Sequence, residues 1–320
     1  MITTSMSKVC LEDVSCPLGC KKNDGIILVG RDLIHEIAGE FTVVKCKACG
    51  LIRTTPRPTP QSIGLYYPDD YGPYIGTRIE KFNISFVNKL KRVAKPLVNW
   101  IFDSKEESLP KMMPGSLLEV GCASGSFLQK MAEKGWQVQG IEFSEKAAQS
   151  ARDDGHLVFT GSLEQAPAPN TEFDLIAGWM VLEHLHDPIN CLKKLNEWAS
   201  PSTWLVLSVP NADTLEFTIF GDKWYALQLP THLYHFTPKS IEHVLNAAGW
   251  RLIRIQHQRT ASNLFASMAF VCKSRGWAKA SIFFRKLAWP SGVWFYILFP
   301  IGWILSIFGQ SGRMVIWARK

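Results

Sequence analysis

The sequence predicts an α/β fold: a mainly parallel sheet covered by helices, with a small cysteine-rich segment before it and a hydrophobic helical insertion before its last strand. Three observations carry this expectation. From residue 117, apolar runs of strand length alternate with helical stretches. The first of these runs ends in the glycine-framed turn EVGCASG, and an acidic residue, Glu142, closes the second run twenty-one positions past Gly121. Near the N-terminus, two close pairs of cysteines stand apart from the rest. The 320 residues leave room for such additions around one large domain, given a prior of ~150 residues per domain. With 47% hydrophobic and 20% charged residues, the composition excludes extensive disorder.

The chain opens on MITTSMSKVC, which has no apolar core of the kind a secretory signal needs, so a cytoplasmic location and reduced cysteines are expected. Cys16 and Cys20 in SCPLGCKK and Cys46 and Cys49 in VKCKACGL form two short knuckles, the spacing of a ribbon that holds one tetrahedral zinc ion. Gly19 and Gly50 suit the tight turns, Cys10 is a weaker substitute ligand, and GIILVG and FTVVKC read as short strands. The stretch LIRTTPRPTPQSIGLYYPDDYGPY is dense in Pro, Tyr and Gly and reads as a loop or cover. Residues 79 to 102 then place Ile79, Phe82, Phe86, Leu90, Val93, Leu97 and Ile101 near helical spacing with lysines between, bent or interrupted at Pro96. The expected division is a zinc-ribbon segment at 1–60, a linker and amphipathic helix at 61–109, a catalytic domain at 110–258, an insertion at 259–312 and a closing strand at 313–320.

The catalytic domain reads in order as LLEVG, a helix near Ser124, QVQGIEF, a helix after Ser144, LVFTG, FDLIAGWM, a helix after Asp187, WLVLSVP, a helix after Thr237, and RLIRIQHQ. Asp187-Pro188 and Thr237-Pro238 each offer a capping side chain followed by proline at the first helical position. Gly121 and Gly125 let the backbone approach a ligand closely, with the small residues Ala123 and Ser124 between them. Glu142 stands where a carboxylate accepts hydrogen bonds from ribose hydroxyls. A dinucleotide is disfavoured on two grounds: the third glycine of GxGxxG is absent, and Glu119 just before the turn repels a pyrophosphate while suiting the cationic end of a sulfonium amino acid.

With EVGCASG, GIEFSE and FDLIAGWMVLEHLHDP in place, the sequence resembles class I S-adenosylmethionine-dependent methyltransferases of the type 11, 12 and 23 families. The resemblance implies a Rossmann-like sheet and S-adenosylmethionine as methyl donor. It places Gly121, Cys122, Ala123 and Gly125 at the methionine and ribose end of the cofactor, with Glu142 on the ribose. Phe143 and the Gly161-Ser162-Leu163 turn would flank adenine, and Met180 would face the cofactor. Ser162 departs from the Asp often found there, which weakens the expected contact to the adenine amino group. The cysteine ribbon running into LIRTTPRPTP resembles bacterial members in which such a ribbon precedes the catalytic domain.

Methyl transfer from a sulfonium is an in-line displacement that depends on holding the nucleophile and the methyl group in line. A hydroxyl acceptor gains from a general base, and the candidates are His184 in LEHLHDP and His232 with His235 in LPTHLYHFTP, with His232 favoured. His235 could instead brace the helix entry at Thr237, and His184 could pack beneath the cofactor; Trp179, Trp224 and Tyr225 either wall a substrate pocket or belong to the core.

The last strand needed to close such a sheet fits RMVIWARK, which leaves 259–312 as an insertion. Residues 251–320 hold 11 of the 35 Lys and Arg and no Asp or Glu, and no charge lies between Lys286 and Arg313. A single membrane crossing would separate the closing strand from its sheet. A re-entrant hairpin broken near Pro300, or a pair of interfacial helices, avoids this, as does a buried cap or dimer interface. Nucleic acid is the weaker partner, because its footprint would be basic without the long uncharged aromatic run. For a member of this family facing a membrane, the resemblance implies a small or lipid-linked acceptor, with a sugar or glycan intermediate first because of the likeness to ribbon-bearing members, and a quinone or polyprenyl-type hydroxyl as the alternative. A noncatalytic membrane adaptor that keeps the fold, and a nucleotide-sugar oxidoreductase, are the competing classes.

Overall fold

The computed structural model describes residues 9–67, 105–106, 108–289 and 293–320. The helix expected over 79–102, its Pro96 bend and most of the 61–109 linker lie outside the described residues.

The N-terminal part is built from β1 (Leu11–Glu12), β2 (Asp24–Gly30), β3 (Phe41–Cys46), β4 (Ile52–Thr54) and β5 (Arg57–Pro58), followed by a 3-10 turn at Ile63–Tyr66. The stretch from Leu51 to Tyr67, expected as loop or cover, thus contains two strands and a turn. Its local Pro and Thr content signals a loop, but β4 finds partners on both sides, β3 and the much later β11 (Tyr234–His235). Arg53 on β4 is buried and forms a two-pronged pair with Asp24, at 3.0 and 2.7 Å, while its Nε and one terminal nitrogen donate to the Val14 carbonyl.

The central sheet has seven strands: β6 (Ser116–Val120), β7 (Gln137–Glu142), β8 (Leu157–Thr160), β9 (Phe173–Trp179), β10 (Ala199–Pro210), β12 (Arg251–His257) and β13 (Arg313–Arg319). Their spatial order is β12-β13-β10-β9-β6-β7-β8. β6 to β10 run parallel, and β13 lies antiparallel between β10 and β12. This is a Rossmann-like sheet closed by one antiparallel strand. Succession grows from β6 outward to β8 on one side and restarts at β9 on the other, so the carboxyl end of β6 is the point where ligands bind in such sheets. Leu117 and Leu118 alternate between the two faces, each joining a separate apolar core.

The covering helices start where the sequence places caps. Ser144 accepts from Ala147 N–H to open α2 (Glu145–Asp153), and Asp187 accepts from Asn190 N–H to open α3 (Pro188–Glu197). Thr237 closes a reciprocal capping box with Ser240 at the head of α5 (Pro238–Ala247). The first helix, α1 (Ser126–Ala132), starts at Ser126 after Gly125, two residues later than expected. Between β10 and β11 lies the short α4 (Leu215–Phe220). The insertion before the last strand forms α6 (Ser262–Ser274), α7 (Ala278–Ala288) and α8 (Val293–Ile307). Of the alternatives for the insertion, the hairpin broken near Pro300 is not formed: α8 runs through that proline. Leu298 before Pro300 and Leu305 after it pack into one cluster with Phe265 and Phe284, which holds both halves of α8 to a common surface. Among the described residues, no helix is long and apolar enough to cross a membrane.

Candidate functional site

The turn after β6 combines positive φ at Gly121, Ala123 and Gly125 (70°, 48° and 81°). A Cβ on Gly121 would lie 2.5 Å from Val181 Cγ2 and one on Gly125 would lie 2.8 Å from Ala151 Cβ, so both positions need glycine for space as well as for backbone conformation. Glu142 is buried and ties this turn to the end of β7: its carboxylate accepts from Ala123 N–H and from Ser144 N–H, both at 2.8 Å. Burial raises its pKa, opposed by those amides. It thus shapes the loop in addition to standing where a ribose would be held. Gly161 N–H donates to the Glu142 carbonyl at 2.9 Å, which brings the Gly161-Ser162-Leu163 turn to the same edge. Phe143 is 55% exposed there and free to cover a ring, whereas Leu163 is a core residue. Cys122 contributes only backbone to the turn: its sulfur is buried, 2.5 Å from where a Cβ on Gly140 would sit. Met180 holds φ at 58°, with its N–H donating to the Ser208 carbonyl at 2.9 Å.

Glu119 is fully buried, and burial pushes its carboxyl up to about 7, opposed by Lys105. Its Oε1 lies 3.3 Å from Lys105 Nζ, and that ammonium stands 5.5 Å from the ring centroids of both Phe127 and Trp179. Beside the glycine turn, a carboxyl and two ring faces thus surround a cation, the Lys105 ammonium. Trp179 is packed edge-on against Phe127 in the core.

The histidines separate. His184, in a 3-10 turn at Leu182–His184, has Nδ1 at 2.9 Å from the Thr231 carbonyl and 2.9 Å from Tyr67 Oη. His232 is buried and donates from Nδ1 to the Ala226 carbonyl at 2.8 Å; its ring meets that of His184 edge-to-face at 4.7 Å. Burial holds His184 down to about 4 and His232 well below the ordinary histidine value, so both are neutral. His235 does not join them: it lies buried on β11, 3.3 Å from Thr54 Oγ1 on β4, inside the sheet that includes the cysteine ribbon.

The sequence reading missed the carboxylates of this region. Glu183 is fully buried beside His184 and His232, and neither of its oxygens has a hydrogen-bond partner. Burial pushes it up to about 8, opposed in part by Arg313. Glu183, His184 and His232 bring one ligand atom each within 4.8 Å of one another, a donor set that could hold a borderline divalent cation. Glu216 on α4 is likewise buried without a partner for either oxygen, and burial raises it to about 7 against the Trp224 indole and Arg313. The only signal in the sequence was the acidic residue preceding His184, which the histidine masked; nothing local marks Glu216. The N-terminal part completes one wall: besides Tyr67, Arg57 donates to Tyr234 Oη at 3.1 Å and to the His186 carbonyl at 3.0 Å.

In the N-terminal ribbon, the sulfurs of Cys16, Cys20, Cys46 and Cys49 all lie within 4.8 Å of one another, with Cys16 and Cys49 at 3.5 Å. Gly19 N–H and Gly50 N–H donate back to the Cys16 and Cys46 carbonyls at 3.0 and 2.8 Å, making the two knuckle turns, and both glycines have positive φ. Four free thiols so placed fit a tetrahedral metal.

The family described as a methyltransferase domain matches residues 88–255, more than half of the chain. The chain belongs to this methyltransferase family. The methyltransferase is 31% identical over 131 residues to the ubiquinone biosynthesis O-methyltransferase of Nitrosospira multiformis, an alignment covering 37% of this chain and 54% of that protein. It is 26% identical over 169 residues to the enzyme of the same name from Acinetobacter baylyi, covering 48% and 69%. The alignments with the first curated relatives thus span somewhat over half of their length, 54% and 62%. Among solved structures, it is similar to an S-adenosylmethionine-dependent methyltransferase from Mesorhizobium loti, at 16% identity and TM-score 0.46 over 67% of this chain and 95% of that one. The matched region makes the chain an S-adenosylmethionine-dependent methyltransferase.

Proposed function

We propose that the enzyme methylates a hydroxyl oxygen of a phenolic, quinone-type ring. The observation that carries this reading is the unpartnered, buried carboxylate of Glu183, clustered with the ring nitrogens of His184 and His232 and two residues after Val181, against which Gly121 of the cofactor turn packs. The glycan acceptor suggested by the ribbon gives way to the phenolic one, because the relatives named above are O-methyltransferases of quinone synthesis. S-adenosylmethionine supplies an electrophilic methyl group on a sulfonium. The chain's own residues then have three tasks: Gly121, Ala123, Gly125 and Glu142 position the donor, Glu119 with its partner Lys105 lines the turn, and Glu183, in the ionised form that grows in as pH approaches about 8, takes the acceptor's proton as the oxygen attacks. We assign His232 to the wall rather than to the base, because burial and the neighbouring His184 hold it well below the ordinary histidine value, although its Nδ1–H bond to the Ala226 carbonyl leaves Nε2 as an acceptor. His184 orients the same wall, and His235 serves the N-terminal sheet.

In the same reading the four cysteines hold a structural zinc. The chain divides into a ribbon at 1–60, a linker at 61–109, and a catalytic unit at 110–258 closed by 313–320, with 259–312 inserted before the closing strand.

Calorimetric titration tests the donor site. S-adenosylhomocysteine should bind saturably, NAD should not, and Glu142→Ala should weaken the former at least tenfold. Binding of NAD instead, or an unchanged dissociation constant in the variant, would sink the assignment. Transfer of labelled methyl to an alkyl-substituted catechol, but not to a nucleotide sugar, tests the acceptor class.

A further inference from the structure

We infer that the α7–α8 part of the insertion is a docking face for an anionic lipid bilayer, lying along its surface. The orientation of α8 is set by its packing. Gly302 presses so closely on the chain after β12 that a Cβ there would lie 2.8 Å from the Arg259 backbone, and Leu298 and Leu305 enter the cluster with Phe265 and Phe284. The face turned away from that contact carries Ile297, Ile301, Ile304 and Phe308, spaced as one helical stripe and 36–72% exposed. Trp303 and Ile307 widen it. α7 divides in the same way: Phe284, Leu287 and Ala288 face the cluster, while Ile282 and Phe283 are exposed, with Trp277 and Trp289 exposed at its two ends. A soluble surface rarely gathers this many large apolar side chains in one place unless something covers them.

The charges around the stripe select the occupant. Lys279, Arg285 and Lys286 on α7 and Arg275 before it are exposed, and residues 251–320 contain no acidic side chain at all. Arg275 lies over the Trp277 ring at 5.3 Å, pairing a cation with an aromatic of the kind found at headgroup depth. In this part of the chain the acid partner of Lys273 comes from outside, from Glu36. A second copy docking through the same face would bring the α7 cations of both chains together with no carboxylate between them. Nucleic acid would match the charge but leave the isoleucine stripe in water. An anionic bilayer meets both features: phosphates at the basic rim and acyl chains under the stripe. A helix of 15 residues spans too little to cross the bilayer, so it lies on the surface. The docked face reaches the segment that holds His232, because Tyr225 packs against Trp289 at 5.5 Å and Phe270 at 5.9 Å and the next residue, Ala226, accepts from His232 Nδ1.

The test is flotation of the full-length, zinc-supplemented enzyme with vesicles of phosphatidylcholine alone or with one-third phosphatidylglycerol. Binding should be at least tenfold stronger to the anionic vesicles and should fall in high salt. The triple variant Ile301→Ser/Ile304→Ser/Phe308→Ser should lose it at least tenfold while binding S-adenosylhomocysteine as wild type does. The variant Lys279→Gln/Arg285→Gln/Lys286→Gln should lose the preference for anionic lipid. Wild type that stays with the soluble fraction overturns the inference. So does a dimer in light scattering that the triple serine variant abolishes, or RNA binding that this variant retains. None of these readouts needs an acceptor, so they stand or fall apart from the phenolic reading.

Discussion

At the scale of single residues, the site is defined by polar groups that the fold buries without pairing. A buried carboxylate with no hydrogen bond costs stability, and such groups persist where a ligand or a reaction uses them. Glu183 is such a group, clustered with His232 and with the His184 that Tyr67 of the N-terminal part contacts. Replacing it isosterically, Glu183→Gln, should lower kcat by about 100-fold, within the usual range for losing a general base, and leave S-adenosylhomocysteine affinity within twofold. His232→Asn should instead lower thermal stability with a smaller effect on kcat, because that ring is buried against a backbone carbonyl and the edge of His184. Single-turnover methyl transfer alongside calorimetry separates the two; a larger kcat loss in the His232 variant would return the base to that imidazole.

At the scale of elements, the N-terminal ribbon is small, and its longest strand, β2, exposes Ile26 and Val29. Such an element has little core of its own, and metal or neighbouring strands must supply what burial does not. The structure provides both means: four thiols within 4.8 Å, and β4 paired to β11 at the entry to α5. Loosening the ribbon therefore reaches the catalytic side through β11 and through Arg57. Cys46→Ser, or a strong chelator on wild type, should release about one zinc per chain and lower Tm by several degrees. Elemental analysis with calorimetric melting checks this, and a chain that contains no zinc and melts unchanged in chelator would reject a structural metal.

At the scale of the whole molecule, buried ionisable groups of two kinds set the response to pH. Burial raises Glu119 and Glu216 from 4.5 to about 7 in the folded state. Between those values the folded chain binds more protons than the unfolded one, so their contribution falls as pH rises through that window and is fully lost above about 7. His235 is lowered by burial from 6.5 to about 3, and His186 and His257 are also lowered. In their window the unfolded chain binds more protons, so their contribution falls as pH drops below 6.5. The two sets oppose each other between 4.5 and 6.5 and act alone outside it, which predicts a Tm maximum within that interval and a decline on both sides. Glu216→Gln should remove part of the alkaline decline and raise Tm at pH 8 by about 2–4 °C, the shift expected for roughly 1 kcal/mol in a unit of this size. A Tm that climbs steadily from pH 5 to 8 would contradict the assignment.

Sequence alone determined the features that depend on spacing along the chain. The strand and helix alternation from Leu117, the caps at Ser144, Asp187 and Thr237, the glycine turn with Glu142, and the two cysteine knuckles are set by residues within a few positions of one another or by regular periods. Only the tertiary structure decided which polar side chains are sealed from water. Whether His232 is a base or a wall depends on the Ala226 carbonyl and the His184 ring, and Glu183 and Glu216 stand out only because strands and helices distant in sequence close over them. β4 and the continuous α8 follow the same rule: partners on β11 and in the Phe265 cluster outweigh the local proline signal. Burial and pairing are sums over neighbours brought together by folding, and short-range sequence patterns do not contain those sums.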